Sequence, residues 1–217
     1  MKLLNTTWIV RYGRRWQRLF TYPAGGFRHF FLFRSNASIL HGLGYWMVDL
    51  ALLLADVGCL PELYLGLERI LLPVKPLREN DGIRYRIPFP GGISMDAIRL
   101  HPNPKIKPNP RVRAYVSFHT INYWGDLDRE TFLHEMIHIW QFDHVGSIYI
   151  HHALRAQRMV PAYEYGLLSE VLDRWETVRI WADFNFEQMA SLGADLLMHL
   201  QECPDDTRAK AILDQFF

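Results

Sequence analysis

The sequence predicts an α+β fold that is mainly helical, with a small strand region before a histidine-bearing helix. Two observations carry this prediction. Beyond Asp128 nearly the whole chain has helical periodicity, with breaks near Gly146, Pro161, Asn185 and Pro204. Before it, residues 111–121 (RVRAYVSFHTI) hold β-branched and aromatic residues in partial alternation, which predicts one strand. A chain of 217 residues is long enough to bury a sizeable core in one domain.

The first 48 residues are basic and aromatic. They contain seven Lys or Arg and no Asp or Glu. Polar residues follow Met1 to Leu4, so the segment lacks the apolar run and small-residue cleavage site of a secretory signal peptide. We therefore expect the protein to be cytoplasmic, or exported by a route that needs no signal peptide.

Residues 39–72 form a strongly apolar stretch in which Asp49 and Asp56 share one helical face. An Asp at mid-bilayer costs ~2.5–3.5 kcal/mol on insertion scales, so a buried or amphipathic helix is favoured over a membrane span. Pro61 begins a second short helix that ends at Pro73. Because a basic segment precedes this stretch, peripheral membrane contact through residues 39–72 stays open.

Proline and glycine mark a boundary after these helices. Residues 73–111 are rich in both, which is typical of loops, short strands or a linker. We therefore predict an N-terminal basic, aromatic and apolar helical region over residues 1–75. Residues 76–217 would form a second domain, or the two parts would be one continuous domain.

The composition excludes several classes of protein. A formal charge of +1 argues against a nucleic-acid-binding protein, which would carry a basic excess. Two cysteines, Cys59 and Cys203, cannot form a disulfide framework or a four-cysteine zinc site. The histidines are more informative, because five of the ten lie within 19 residues: His134, His138, His144, His151 and His152.

The segment His134-Glu135-Met-Ile-His138 has the HExxH spacing of a zinc site. Asp128 is a suitable N-cap for the helix that carries it. On that helix the two imidazoles differ by only ~40° around the axis, so both can bind one Zn²⁺ at ~2.0–2.1 Å. Glu135 lies ~100° round from His134, where it can move a proton from a metal-bound water to a leaving amine. The competing interpretation is a pair of structural histidines.

Two segments compete to supply a third ligand. His144 has the spacing of the pattern HExxHxxGxxH, but Gln141 replaces the glycine that would break the helix. If the helix continues, His144 lies ~15 Å along the axis from His134, too far to share a metal. The alternative is Glu187, in the first turn of a helix that opens with a capping box at Asn185 and carries small side chains nearby, although a first-turn Glu also suits the helix dipole. Weaker candidates are Asp183, Glu170 and Glu164.

Residues 110–200 resemble a family of small bacterial zincins that are similar to gluzincin metallopeptidases. The resemblance rests on HExxHxWQ at 134–141 and on Asn-x-Glu-Gln-x-Ala at 185–190, with further matches at Gly146, Tyr149, Ala153, Leu154, Gln157, Tyr163 and Tyr165. It implies a zincin-like domain with His134, His138 and Glu187 as zinc ligands and Glu135 as general base. Several members occur near type VI or related contractile secretion systems, which implies a secretion-system partner.

We therefore expect a zinc metallopeptidase that cleaves a peptide or protein substrate paired with the strand over 112–121. An active peptidase needs a donor for the tetrahedral oxyanion. Candidate donors are Tyr163, Tyr165, His151 and His152. Gln141 is a candidate for supporting His138, although a solvated residue is the simpler interpretation. The alternative hypotheses are a non-catalytic zinc-stabilised module of a secretion or toxin-delivery system, and a hydrolase anchored to a membrane through residues 39–72.

Overall fold

The structure is a computed structural model that describes residues 12–21, 36–77, 93, 95–107 and 112–216. Most of these residues are helical, and four short strands form one mixed sheet. The prediction of a mainly helical α+β fold is therefore confirmed. Part of the predicted proline- and glycine-rich region, residues 78–92 and 108–111, lies outside the described residues.

The helices in chain order are α1 (12–21), α2 (Asn36–Val57), α3 (Leu60–Leu71), α4 (Arg129–Val145), α5 (Ile148–Ala156), α6 (Leu168–Asp173), α7 (Ile180–Asp183), α8 (Phe186–Glu202) and α9 (Thr207–Leu213). The strands are β1 (Lys75–Pro76), β2 (Arg99–Pro102), β3 (Ala114–Ser117) and β4 (Thr120–Tyr123), and a 3₁₀ turn (Met95–Ala97) precedes β2. The two apolar helices thus form as predicted, with Pro61 in the first turn of α3. Two predicted breaks, Gly146 and Asn185, lie at the end of α4 and the start of α8.

The sheet has the order β1-β2-β4-β3. Strand β4 pairs with β2 in parallel and with β3 in antiparallel fashion, with Val116 opposite Ile121. The single strand predicted over 111–121 is wrong, because the chain turns back at Phe118, which has a φ of 58°. The turn contains no Gly, Pro or Asn, the residues from which a turn is usually predicted. The left-handed backbone at Phe118 is supported by a tertiary contact, since its ring lies 5.0 Å from the Phe142 ring.

The core is built around two helices, α4 and α8. Helix α4 is buried on nearly every face, so its sequence has apolar residues all round rather than one apolar stripe. Helix α8 approaches it closely at Gly193, where an added Cβ would lie 2.8 Å from Ile137 Cδ1. The C-terminal residues complete this core through Phe216, which is 1% exposed.

Buried polar contacts join the N-terminal helices to the region where α4 meets α5. Asp56 on α2 accepts a hydrogen bond from the Ser147 amide (2.8 Å), and Asp49 contacts His151. On α1, Arg18 donates to the Asp143 carbonyl (2.7 Å). These contacts link the two predicted parts of the chain, 1–75 and 76–217, whose division stays a prediction.

Within the described ranges no single helix is long and apolar enough to cross a membrane. The segments Gly42–Val57 and Leu60–Leu71 together reach the required length and composition, but they are bent by 67° at the break between them.

Candidate metal centre

Three predicted ligands come together between α4 and α8. Oxygen Oε2 of Glu187 lies 3.2 Å from His134 Nε2 and 3.3 Å from His138 Nε2. The three ligand atoms all lie within 4.8 Å of one another. A tetrahedral Zn²⁺ with bonds of ~2.0–2.1 Å separates neighbouring ligand atoms by about 3.3–3.4 Å. Both imidazole–carboxylate distances are therefore close to those that the ion requires.

Helix caps hold both ligand-bearing helices in place. The Asp128 side chain accepts from the Thr131 amide (2.8 Å) and so starts α4 where the sequence predicted. At α8 the predicted capping box is complete, since Gln188 N donates to Asn185 Oδ1 (2.9 Å) and Asn185 N donates to Gln188 Oε1 (3.1 Å). Glu187 consequently lies in the first turn of α8, and its side chain points at the two histidines of α4.

The electrostatics of the site favour an anionic Glu187 beside cationic or metal-binding partners. Burial alone would raise the pKa of Glu187, but the charge of His138 and hydrogen bonds from both imidazoles hold it well below its usual range. Burial likewise works against a charged His138, yet Glu187 overcomes it and raises the pKa of His138 to about 9. A divalent ion would replace these shared protons as the counter-charge.

Gln141 orients His138 from within the core. Its Oε1 lies 2.7 Å from His138 Nδ1, and its Nε2 donates to the Phe186 carbonyl (3.0 Å). Because the amide oxygen only accepts, Nδ1 carries the proton and Nε2 of His138 faces Glu187 and the metal position. Gln141 is fully buried, so the interpretation of a solvated residue is wrong and the supporting role is the one the contacts favour.

Two further side chains contact the candidate ligands, and the sequence patterns did not predict these contacts. Gln157 donates to Glu187 Oε1 (2.7 Å), and Ser191 Oγ lies 3.4 Å from His134 Nδ1. Ser191 is four residues after Glu187, so its position on the ligand face of α8 was readable from helical spacing. The contact of Gln157 with Glu187 could not be predicted from helical spacing, because Gln157 lies at the end of α5 and reaches α8 only in the folded structure.

Glu135 lies beside the ligands and is only 5% exposed. Its Oε2 is buried, and the described part of the chain offers it no hydrogen-bond partner. Burial raises the pKa of the Glu135 carboxyl, and the neighbouring imidazoles of His138 and His134 only partly offset this. This unpartnered carboxylate oxygen, beside two imidazoles and the carboxylate of Glu187, is compatible with a site that binds a cation and its solvent.

His144 is not part of this centre. Helix α4 continues unbroken through Gln141 to Val145, as expected when glycine is absent from position 141. The His144 ring instead packs against Trp140 (4.9 Å) and Trp181 (5.6 Å). The three weaker candidates also lie outside the group: Asp183 accepts from Arg179 N, Glu170 accepts from Leu167 N, and the Glu164 carbonyl accepts from Gln188.

Among the four candidate oxyanion donors, Tyr163 is the one whose ring, in the described part of the chain, packs near a histidine of the candidate centre. Its ring centroid lies 6.1 Å from that of His134, and the side chain is about half exposed. Burial, and then Glu187, raise the pKa of Tyr163 to about 12, so it is a neutral hydrogen-bond donor at pH 7. Tyr165 donates to Asp195. His151 and His152 pair with Asp49.

Searches of protein-family models, of curated proteins and of solved structures found no match for this chain. The resemblance to small bacterial zincins therefore stays a prediction. The fold and the site define a mainly helical α+β protein with a candidate His₂Glu metal centre.

Proposed function

We propose that the protein is a zinc-dependent metallopeptidase. The observation that carries the proposal is the convergence of Glu187 with His134 and His138, at distances that suit a tetrahedral ion. Two imidazoles and one carboxylate leave a fourth position for solvent or substrate, which is the donor set of several catalytic zinc sites. The HExxH spacing adds Glu135 next to that position.

Each residue has a chemical task in this proposal. His134, His138 and Glu187 would hold the ion, whose chemical contribution would be Lewis acidity towards the scissile carbonyl and the attacking water. Glu135 takes a proton from that water and delivers it to the leaving amine. The raised pKa of Glu135 suits a carboxyl that must both accept and return a proton. Tyr163 would donate its phenol proton in a hydrogen bond to the developing oxyanion.

An extended peptide is the substrate that the neighbouring sheet fits best. Strand β3 is the edge strand after β4 in the described sheet, so its outer edge could pair with another strand at the backbone groups other than the Val116 carbonyl, which already accepts from Tyr149. The strand lies near the centre, since Tyr149 donates to the Val116 carbonyl (3.0 Å) while its ring lies 6.3 Å from the His138 ring.

The mechanism is tested with Glu135→Gln, which keeps the shape of the side chain and removes its basicity. We expect the variant to bind one equivalent of zinc at this centre as wild type does and to lose hydrolysis by ~10²–10⁴-fold. Cleavage of an unstructured peptide library, read by mass spectrometry, is the assay. Glu130→Gln, on the exposed side of the same helix, is the matched control and should cleave normally. Wild-type turnover by Glu135→Gln would refute the assigned base.

A non-catalytic zinc-stabilised module is the second candidate, and the burial of the centre favours it. Glu187 is 1% exposed and His138 is 6% exposed, as expected for a structural ion. Removal of zinc by a chelator would then lower the melting temperature of a protein that cleaves none of the library peptides. For that module, as for the peptidase, a secretion-system partner is implied only by the resemblance.

Helix α3 supports a further proposal, contact of residues 39–72 with a membrane surface. Its outer side exposes an apolar stripe at helical spacing: Leu60, Leu63, Tyr64, Leu67, Ile70 and Leu71. Co-sedimentation with anionic lipid vesicles tests this contact. Ile70→Glu, at a position that is 79% exposed, should reduce binding without unfolding the protein, and undiminished binding would contradict the proposal.

A further inference from the structure

A second group of metal-ligating side chains lies where α2 meets α5. Asp49 on α2 is 3% exposed and faces two consecutive histidines of α5. His151 Nδ1 lies 2.7 Å from Asp49 Oδ1, and His152 Nε2 lies 3.2 Å from Asp49 Oδ2. One atom from each of the three residues can be chosen so that all lie within 4.8 Å of one another. We propose that Asp49, His151 and His152 bind a second Zn²⁺.

The donor set matches that of the first centre, with two imidazoles and one carboxylate. Zinc bonds of ~2.0–2.1 Å require neighbouring ligand atoms about 3.3–3.4 Å apart. His152 Nε2 lies 3.2 Å from Asp49 Oδ2, which is near that value, and His151 Nδ1 lies 2.7 Å from the other carboxylate oxygen, Oδ1. With both oxygens of Asp49 on the ion, the His151 contact would have to lengthen by about 0.6 Å. A change of that size is a small side-chain adjustment, and α2 and α5 need not separate.

Packing holds both imidazoles in position before any ion binds. The His151 ring lies 5.3 Å from the ring of Tyr45, and the His152 ring is stacked 5.2 Å from the ring of Phe186. Because rotamers fixed in advance lose little entropy on coordination, these contacts favour binding. The His152 side chain is about one-third exposed, which leaves solvent a path to a fourth coordination position.

An ion bound at Asp49 would stabilise the fold, because Asp49 is a buried carboxylate at the contact between α2 and α5. A carboxylate buried in an apolar helix is costly unless its charge is compensated. Asp49 already contacts His151 and His152, and a zinc ion bound by all three side chains would add a positive charge beside the carboxylate and cross-link α2 to α5. The first centre has its own ligands on α4 and α8, so the second site does not depend on the proposed peptidase activity.

Zinc stoichiometry of the chelator-stripped, full-length protein tests the proposal. Dialysis against micromolar Zn²⁺ followed by elemental analysis should give two ions per chain for wild type. Asp49→Asn, which keeps the size and hydrogen-bonding capacity of the side chain, should retain one. The double variant His134→Ala/His138→Ala should also retain one, and adding Asp49→Asn to it should leave none. The matched control is Asp56→Asn, a change at another buried carboxylate of α2 that faces no histidine cluster and should keep two ions.

Three outcomes would overturn the proposal. Wild type could bind a single ion that Asp49→Asn leaves in place, which would make the group a hydrogen-bonded triad only. The His134/His138 double variant could bind no zinc while its circular dichroism stays native. A second ion could survive both Asp49→Asn and His152→Ala, which would place it elsewhere. His152→Ala also serves if Asn at position 49 prevents folding, because His152 is the most exposed of the three side chains. Titration with Co²⁺ counts the sites independently through the absorbance of each tetrahedral ion.

Discussion

The close approach of α8 to α4 at Gly193 is what brings Glu187 to the histidines, and Gly193→Ala perturbs it with one methyl group. That methyl would lie 2.8 Å from Ile137 Cδ1, 3.0 Å from Ile137 Cγ1 and 3.4 Å from an edge atom of Phe216. The first distance is far inside van der Waals contact, and Ile137 is fully buried, so it cannot turn aside into solvent.

Two effects of opposite sign decide the result. Replacing Gly by Ala inside a helix stabilises the fold by about 0.5–1 kcal/mol. Overpacking a close-packed core by a methyl group costs about 1–3 kcal/mol. Because the new methyl group would meet the buried side chain of Ile137, we expect the cost of overpacking to exceed the gain in helix propensity. The free energy of unfolding should fall by about 1 kcal/mol.

A double-mutant cycle with Ile137→Val isolates this contact. The Val side chain lacks Cδ1, the atom that the new methyl would meet first. Ile137→Val alone should cost about 0.5–1.5 kcal/mol, and the double variant should be more stable than the sum of the single changes by about 1–2 kcal/mol. Urea unfolding followed by circular dichroism gives all four free energies, with equal m-values as the check on two-state behaviour.

The result that would refute the reasoning is a stabilisation of about 1 kcal/mol by Gly193→Ala with no coupling to Ile137. That outcome would mean that only helix propensity acts at position 193 and that the two helices do not touch there. If the packing is as described, zinc binding by Gly193→Ala should also weaken, because Glu187 is carried by the displaced helix, and Ile137→Val should restore part of it.

Three further predictions concern the end of α4 and the ligands. Gly146→Ala should lower the free energy of unfolding by at least about 2 kcal/mol, measured by thermal or urea unfolding. Gly146 has a φ of 78°, and an added Cβ would lie 2.2 Å from Asp56 Oδ2. An unchanged stability would contradict both the backbone strain and the steric clash. Gln141→Leu should weaken zinc binding by about 10–100-fold in a chelator competition, since His138 Nδ1 loses its partner, and unchanged affinity would show that the amide does not orient the ring. The pKa of His138 in the metal-free protein is about 9, so at pH 7 its imidazolium must lose a proton before it binds zinc. Apparent affinity should therefore rise with pH towards 9, and calorimetry in buffers of different ionisation enthalpy should detect the released proton; its absence would contradict the His138–Glu187 pairing.

Local patterns were sufficient to predict the parts of the site that depend on neighbours in sequence. Asp128 and Asn185 cap their helices as expected because a capping side chain bonds to amides two or three residues away. The spacing of His134 and His138 placed them on one face of a helix. The missing glycine at position 141 favoured a continuous α4 and made His144 the weaker of the two candidate third ligands, and the structure places His144 outside the centre.

The prediction failed where distant contacts override local preference. The hairpin at Phe118 was missed because a bulky residue rarely adopts a positive φ, and the aromatic contact with Phe142 that supports it comes from another element. The burial of Gln141 was missed because a polar residue on a helix is solvated far more often than buried. Its partners, His138 and the Phe186 carbonyl, are assembled only when α8 packs on α4.

The sequence by itself determined the helical class, the helix caps and the placement of two histidines of the candidate metal centre on one helical face, because periodicity, capping and HExxH spacing all act within a few residues. Only the tertiary structure decided that Glu187 meets the HExxH histidines across 49 residues from His138, since that contact depends on how closely Gly193 lets two helices approach. The tertiary structure also determined which residues the other clustered histidines contact. His144 packs among tryptophans, whereas His151 and His152 meet Asp49 from a helix about 100 residues earlier, a pairing that no local pattern encodes.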